Sequence, residues 1–241
     1  MTILSWNIQH GGGTRIARIV EEITAHDPDV IALTEFRTRP GEALSAALLD
    51  RGWPHVESTN PTGNQNGIAV LSRKPMRRTR QCPVSPENGV RWLDIDLPEL
   101  GFGICVLHIM AAGRMEEVKT RFWDAVIGAA QARLNEPFLF IGEWNTGAHR
   151  VDESGKTFKC ADHFVKLSAL GWTDLWRHHN PGNTEWTWFS KLRGGVRGNG
   201  FRLDHAFATP KLLGRVQGCC YSHVERDAGI SDHSILIIEV T

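Results

Sequence analysis

The stretch Pro137-Phe-Leu-Phe-Ile-Gly-Glu-Trp-Asn145 joins a short apolar run to two polar side chains, Glu143 and Asn145. Residues Pro137 to Ile141 predict a buried β-strand, because a short apolar run bounded by Pro and Gly is typical of one. The two polar residues then stand where that strand ends. The stretch therefore predicts a buried sheet that carries chemically active groups at one edge.

The same arrangement, in which a polar side chain stands next to a strand-like apolar run, recurs along the chain. The further polar residues in such positions are Asn7, Glu35, His108, Asp204, Asp232 and His233. Because strand ends on one edge of a sheet converge, we expect these side chains to share one pocket. A pocket of carboxylates, amides and imidazoles suits a hard metal ion and the hydrolysis of phosphate esters.

Strand-like and helical patterns alternate along the 241 residues. The longest predicted helix runs from Met115 to Leu134 and carries an apolar stripe at helical spacing. Residues Thr146 to Thr157 predict a loop. Many strands with helices between them predict an α/β fold in which two packed sheets are each covered by helices. No linker or repeat interrupts the pattern, so we expect one domain over residues 1–241.

The charge balance is neutral, with 27 Lys and Arg residues against 27 Asp and Glu residues. That balance argues against a dominant electrostatic attraction to nucleic acid, although local basic patches remain. One patch, Ser190 to Arg202, is rich in glycine and follows the aromatic residues Trp186, Trp188 and Phe189. A basic, flexible loop next to aromatic rings suits contact with nucleic acid. A second basic run extends from Arg73 to Arg80 and is either a substrate contact or a solvated hairpin face.

Cysteine usage and the first residues indicate the compartment. The five cysteines are odd in number and show no zinc-ligand spacing, which favours a reducing environment. The neighbours Cys219 and Cys220 are expected on opposite faces of a strand, not joined to each other. Met1 leads directly into a strand-like segment without the basic start and apolar middle of a signal peptide. No apolar run reaches the roughly 18 residues that cross a bilayer. We therefore expect a cytoplasmic protein without a membrane partner.

Six segments in consecutive order resemble the endonuclease/exonuclease/phosphatase superfamily, in particular its exonuclease III-like and abasic-site endonuclease branch. The matching segments are residues 5–8, 33–36, 66–72, 141–145, 201–204 and 231–233. The resemblance extends from Asn7 to His233. It implies a four-layer α/β/β/α sandwich of two mostly antiparallel sheets flanked by helices, which is the DNase I-like fold.

The resemblance also implies a role for each group in the predicted pocket. Asn7, Glu35 and Asp232 would lie at a Mg²⁺ ion, with Mn²⁺ as the other candidate cofactor. The implied catalytic set, which shares Asp232 with the metal site, is His108, Glu143, Asn145, Asp204, Asp232 and His233. Within it, His108 would bind a phosphoryl oxygen, and His233 would act as general base or charged phosphate clamp. The implied substrate-binding residues are Asn66, Trp188, Lys191, Arg193, Arg197 and Arg202.

Glu143 departs from the family pattern, which has Asp at this position to help activate the attacking water. Glu keeps the charge and adds one methylene, which moves the carboxylate by roughly an ångström. A displacement of that size can cost about 10²-fold in rate. An adapted site, a weak catalyst and a deliberate exchange all remain open explanations.

Three functional hypotheses follow from these observations. The leading one is Mg²⁺-dependent hydrolysis of DNA phosphodiester bonds in DNA repair, at abasic sites, at 3′ ends or at both. The second is hydrolysis of a small or lipid phosphoester, which His108 favours and the basic, aromatic segment opposes. The third, motivated by Glu143, is a nucleic-acid-binding module with weak or no catalysis. We expect a monomer that binds DNA and needs no obligate protein partner.

Overall fold

The computed structural model describes residues 1–79, 83, 86–111, 116–192 and 197–241. The strands in these ranges are β1 (Thr2–Asn7), β2 (Val30–Phe36), β3 (His55–Ser58), β4 (Gly67–Ser72), β5 (Arg77–Arg78), β6 (Trp92–Leu97), β7 (Phe102–His108), β8 (Phe138–Glu143), β9 (Thr173–Asp174), β10 (Trp188–Lys191), β11 (Arg197–Phe201), β12 (Asp204–Ala208), β13 (Val216–Ser222) and β14 (Ile235–Val240). The helices are α1 (Ile16–His26), α2 (Thr38–Leu49), α3 (Glu116–Arg133), α4 (Ala161–Ala169), α5 (Leu175–His179), α6 (Pro210–Leu213) and α7 (Val224–Asp227), with 3-10 turns at Gly13–Arg15 and Pro86–Arg91.

Twelve of these strands form two six-stranded sheets. Sheet I has the order β13-β14-β1-β2-β4-β3, and sheet II has the order β5-β6-β7-β8-β12-β9. The central pairs β1/β2 and β7/β8 are parallel, whereas the other neighbours run antiparallel. The strands β10 and β11 form a separate antiparallel hairpin. The predicted pair of mostly antiparallel sheets is therefore confirmed.

Alternating side chains on the buried strands divide the core into three layers. On β2, Val30 and Ala32 face sheet II, whereas Ile31 and Leu33 pack against α1 and α2. Outside sheet II, aromatic side chains such as Trp123 of α3 pack onto β7, β8 and β12. The order of layers is helices, sheet I, sheet II, helices, which confirms the predicted α/β/β/α sandwich.

The ends and edges of the elements complete the comparison with the sequence. The longest helix, α3, begins at Glu116, and Met115 lies outside the described residues. Cys219 is buried and Cys220 is exposed, and both thiols are free, as the alternation of strand side chains predicts. Cys82 lies outside the described residues. Within the described ranges, none of the helices is long and apolar enough to cross a bilayer.

Candidate active site

The two central parallel pairs bring polar residues from both sheets to one end of the sandwich. In sheet I, Asn7 ends β1 and is paired with the residue immediately before Glu35. In sheet II, His108 at the end of β7 and Asp204 at the start of β12 are both paired with Glu143. The register of sheet II therefore sets His108, Glu143 and Asp204 side by side, and the Asn7 amide reaches Glu143 from sheet I.

Gly142 makes the close approach of β7 and β8 compatible with this register. Its φ is +133°, and a Cβ there would lie 2.1 Å from the backbone carbonyl oxygen of Leu107. A larger residue would push the two strands apart at the position where His108 faces Glu143. The glycine that precedes Glu143 in the sequence is thus required by packing.

The strand ends enclose a cavity of about 580 Å³. The sequence-predicted residues that line it are Glu35, Asn66, His108, Glu143, Asn145, Trp188, Asp232 and His233. Asn7 and Asp204 are 2% and 3% exposed and contact the lining side chains from behind. The structure therefore brings together the predicted metal-binding and catalytic residues.

Glu143 forms the floor of this cavity and is 5% exposed. Its Oε2 accepts a hydrogen bond of 2.6 Å from the Asn7 amide and lies 3.1 Å from His108 Nε2. Its Oε1 accepts a hydrogen bond from the Asn145 amide. Burial alone would raise the pKa of Glu143, but the nearby imidazoles of His108 and His233 outweigh burial and lower it to about 2. The carboxylate is therefore ionised at neutral pH.

His233 lies between two carboxylates. Its Nδ1 is 2.9 Å from Asp204 Oδ2, and its Nε2 is 3.9 Å from Glu143 Oε1. Burial opposes a charge on this imidazole, but Asp204 and Glu143 outweigh it and raise the pKa of His233 to about 10. The backbone is fixed by Trp6, whose indole N–H donates to the His233 carbonyl oxygen at 3.0 Å. The site thus presents an oriented, protonated imidazole.

Three side chains in the cavity can supply ligands to one metal ion. One ligand atom from each of Glu35, His108 and Glu143 lies within 4.8 Å of the others. Glu35 has a left-handed backbone conformation, with φ of 56°, which is uncommon for a residue other than glycine and occurs at functional sites. Two carboxylates and an imidazole are a donor set that can hold a divalent cation.

The other residues predicted at the metal occupy neighbouring positions. Asn7 directs its amide nitrogen to Glu143, and its Oδ1 accepts a hydrogen bond of 2.8 Å from the Gln9 backbone N–H. Asp232 lines the cavity, where its Oδ2 lies 3.3 Å from the indole nitrogen of Trp188.

Arg91 is a cavity residue that the sequence analysis missed. Its Nη1 lies 3.0 Å from His108 Nε2, so a guanidinium faces the same space as the predicted phosphate-binding imidazole. The sequence feature that could have identified Arg91 is the alternating pattern of β6, which begins at the next residue. In the structure β6 pairs with β7, and Trp92 lies opposite Leu107. That register places Arg91 opposite His108, but it depends on knowing that β6 and β7 are neighbours.

A buried lysine supports the segment that follows Glu143. Lys119 of α3 is fully buried, and its ammonium donates to the carbonyl oxygen of Asn145 at 2.5 Å. Burial lowers the pKa of Lys119 to about 8. On the next residue, the Thr146 carbonyl oxygen lies 2.9 Å from His205 Nε2, and the hydroxyl accepts from the Trp123 indole. Asn145 is therefore held by its backbone as well as by its side chain, in a left-handed conformation with φ of 48°.

The predicted substrate-binding residues of the hairpin β10–β11 lie in two different places. Trp188 lines the cavity, with its ring centroid 6.5 Å from that of His233. Lys191 and Arg197 lie on the outer part of the hairpin and line an adjoining cavity of about 280 Å³. Arg197 also pairs with Asp227 at 2.8 Å. Arg193 lies outside the described residues.

Arg202 does not contact the cavity, which corrects the prediction that it binds substrate. Its guanidinium is 1% exposed and pairs with Asp152 at 2.7 Å and with Asp174. Those partners stand 50 and 28 residues away in the sequence. Arg202 is a structural residue, since burying it this deeply requires charged partners on every side.

Three cations of the second basic run pair with acidic neighbours. Arg73 pairs with Asp27, Lys74 with Glu99 at 3.4 Å, and Arg77 with Asp96 at 2.9 Å. These pairs favour the interpretation of a solvated hairpin face over that of a substrate contact. Arg80 lies outside the described residues.

Fold and site together define an α/β/β/α sandwich with a polar, metal-compatible cavity at its strand ends. A sequence model described as the Endonuclease/Exonuclease/phosphatase family matches residues 4–233. The chain therefore belongs to the Endonuclease/Exonuclease/phosphatase family, which confirms the resemblance carried by the six segments.

One curated relative is the DNA-(apurinic or apyrimidinic site) endonuclease of Dictyostelium discoideum, 23% identical over 236 residues. The alignment covers 90% of this chain and 64% of the relative, so the chain spans less than two thirds of the relative's length. Among solved structures, an AP endonuclease from Archaeoglobus fulgidus matches with a TM-score of 0.85 at 19% identity, covering 100% of this chain and 99% of that one. A 3′ phosphatase from Neisseria bound to a product DNA hairpin matches with a TM-score of 0.84 at 20% identity, with the same coverage. These structural likenesses show the shared fold.

Proposed function

We propose that the protein hydrolyses phosphodiester bonds of DNA in a metal-dependent reaction, at abasic sites, at 3′ ends or at both. The observation that carries this proposal is the meeting of Glu35, Glu143 and His233 in one cavity whose rim includes Trp188. Phosphoester hydrolysis needs charge neutralisation, an oriented water and a donor near the phosphate. The activities in the names of the relatives point in the same direction.

Glu35 would hold the metal, at the point where its carboxylate comes within 4.8 Å of ligand atoms of His108 and Glu143. Asp232, which lines the same cavity, and Asn7 are the further predicted oxygen ligands. Their carboxylate and amide oxygens are hard donors of the kind that Mg²⁺ prefers, and Mn²⁺ accepts the same ligands. A cation bound there would neutralise charge on the phosphoryl oxygens.

The protein's own side chains divide the remaining work. Glu143, fixed by the Asn7 and Asn145 amides, orients the attacking water through its carboxylate. His233, placed between Asp204 and Glu143, donates its Nε2 proton as a hydrogen bond toward the phosphate, which favours the clamp over the base among the two predicted roles. Arg91, in the 3-10 turn before β6, adds a second cationic donor.

The wall beside His233 supports DNA as the substrate. Phe158 and Leu203 are buried, and they form an apolar cluster with the partly exposed Trp188 and Phe201. All four side chains line the cavity. An apolar, aromatic wall next to a phosphate site accommodates an abasic sugar or stacks on a base.

A small or lipid phosphoester is the second candidate substrate. The observation in its favour is the pairing of Arg73, Lys74 and Arg77 with acidic residues, which lowers the net charge of one of the two basic patches expected to bind DNA. An assay panel separates the candidates: abasic duplex, intact duplex, single strand and a soluble phosphomonoester, each with and without Mg²⁺. We expect metal-dependent cleavage of the DNA substrates. Turnover of the small ester alone contradicts the DNA proposal, and DNA binding without turnover supports an inert module.

The inert-module reading depends on Glu143, and the contacts of that residue support an adapted site. Its two oxygens reach Asn7, His108 and Asn145 at once. An Asp at this position has a shorter side chain and would not keep all three contacts. We therefore expect E143D to lower kcat by roughly tenfold, about 1.4 kcal/mol of transition-state stabilisation. A gain in activity would show that the extra methylene limits the enzyme. Glu99, which is exposed and remote from the cavity, provides the matched control variant E99D.

A further inference from the structure

The loop after Asn7 has a backbone that L-amino acids rarely adopt. Five successive residues have positive φ: Gln9 (51°), His10 (55°), Gly11 (76°), Gly12 (79°) and Gly13 (51°). Each non-glycine residue in this region costs about 1 kcal/mol or more and persists where the surroundings fix it. Here the Gln9 N–H donates to Asn7 Oδ1 at 2.8 Å, and the His10 N–H donates to Glu35 Oε2 at 2.6 Å. These two hydrogen bonds fix the loop to Asn7 and Glu35, the two residues proposed to lie at the metal.

The two hydrogen bonds place the imidazole of His10 at the rim of the cavity. Its side chain is 62% exposed and lines the cavity beside Glu35 and Asn66. No packing requirement explains a histidine here, because a mostly exposed ring buries little apolar surface. Glycine would fit this backbone at lower cost. The ring is therefore placed at the cavity by polar contacts and not by packing.

The contacts of His10 determine which ring nitrogen is available to a ligand. Nδ1 lies 3.1 Å from Arg37 Nη2 and 3.3 Å from Asn66 Nδ2. Both neighbours carry only N–H at those atoms, and Arg37 Nε fixes the Asn66 amide by donating to its Oδ1 at 2.7 Å. Nδ1 is therefore the acceptor in the neutral ring, which then carries its proton on Nε2. Glu35 Oε2 also lies 2.9 Å from Nδ1, so Nε2 is the ring nitrogen left for a ligand.

We propose that His10 is a phosphate-binding residue whose Nε2 N–H donates to a non-bridging oxygen of the phosphate held in the cavity. The proposal rests on the proposed function for the class of substrate, a phosphoester. His10 approaches from sheet I, whereas Arg91, His108 and His233 approach from the other walls. The phosphate would be contacted by donors on both sides, with the Glu35 carboxylate between His10 and the floor.

Two substitutions separate the imidazole from the shape of the loop. His10→Asn shortens the side chain but tolerates the left-handed backbone, and His10→Gly removes the side chain and relieves the strain. Binding of orthophosphate to the Mg²⁺-loaded protein is measured by calorimetry. We expect both variants to weaken phosphate affinity about tenfold, the effect of one hydrogen bond to a charged group, and to raise KM more than they lower kcat. His55→Asn, on the edge strand β3, is the matched control and should bind phosphate like the wild type.

Mn²⁺ affinity, measured by electron paramagnetic resonance without substrate, distinguishes a phosphate contact from an effect on Glu35. We expect it to change less than about twofold, a difference too small to represent a lost ligand. Phosphate affinity that is equal in wild type and both variants overturns the proposal. A loss of Mn²⁺ affinity as large as the loss of phosphate affinity also overturns it. Because orthophosphate is the probe, this test is independent of which ester the enzyme cleaves, so failure of the DNA proposal would be seen separately in the substrate panel.

Discussion

The floor and the rim of the cavity are built in opposite ways. The floor, formed by Glu143 and His233 with Asp204 behind them, is at most 5% exposed, and these side chains are paired with one another. The rim, formed by His10 and the β10–β11 hairpin, is exposed or partly exposed and belongs to a connecting segment and a two-stranded ribbon. Strand register fixes the floor, so its chemistry has little tolerance for change. The rim can vary while the fold stays intact, and so it is the part that can set substrate preference.

Breaking the floor should give the largest effect on activity. Glu143→Gln keeps the size of the side chain but removes the charge that orients water and stabilises the imidazolium of His233. We expect kcat to fall about 10³-fold, within the range of a lost acid–base or electrostatic group. Single-turnover cleavage of an abasic duplex measures this. The protein should remain folded, and a loss below tenfold would mean that Glu143 is not part of the reaction.

Breaking the buried network beneath the rim should change stability instead. Arg202→Met leaves Asp152 and Asp174 as buried carboxylates without their main cation. We expect a loss of about 3–5 kcal/mol in the free energy of unfolding, measured in urea, because one partner of a buried ion pair is removed. Arg197→Met, on the exposed part of the same hairpin region, should cost less than about 1 kcal/mol. Similar losses in the two variants would contradict the assignment of Arg202 as a structural residue.

The floor residues and Arg202 show which parts of the site can be predicted from the sequence and which cannot. The polar residues of the floor were predictable, because each follows or precedes a buried apolar run such as Phe102–His108, and parallel strand ends meet. Arg202 stands in a basic, glycine-rich segment that is typical of a surface loop. Its partners lie 50 and 28 residues away in the sequence, and a local sequence pattern does not predict contacts over that separation. Burial of a charge is decided by tertiary contacts that the segment itself does not contain.

Two residues that line the cavity, His10 and Arg91, escaped prediction for a related reason. His10 lies in a glycine-rich turn, and its position beside Glu35 follows from backbone angles that a residue pattern does not specify. Arg91 precedes a predicted strand, but its contact with His108 depends on which strands are neighbours in sheet II. Elements and their ends follow from periodicity, whereas the contacts between loops follow from the assembled sheets.

Acid should weaken the layer that supports the floor. Burial, with the charge of Arg202, lowers the pKa of His205 from its usual 6.5 to about 4. Between these pH values the unfolded chain binds a proton that the folded protein does not, so stability present above about pH 6.5 is lost as the pH falls toward 4. The shift corresponds to roughly 3 kcal/mol. His205→Gln keeps a donor for the Thr146 carbonyl oxygen and does not titrate. Its unfolding free energy should fall less steeply over this range, and parallel pH profiles for wild type and variant would contradict the prediction.

Substitution of the exposed hairpin residue Arg197 should have the smallest effect, and that effect should be on DNA affinity and not on turnover. Arg197 is about half exposed, stacks over the Phe189 ring at 4.2 Å and shares Asp227 with Arg226. A cation of this kind contributes one screened contact to a DNA backbone. We expect Arg197→Ala to weaken binding of an abasic duplex about fivefold at low salt and to reduce the slope of log affinity against log salt by about 1. Its kcat at saturating substrate should equal that of the wild type, since the floor is untouched. Lys211→Ala, an exposed cation on α6, is the control with an unchanged slope. If the Arg197 variant lost turnover but kept its salt slope, the hairpin would belong to the catalytic floor, and the division between the two regions would be wrong.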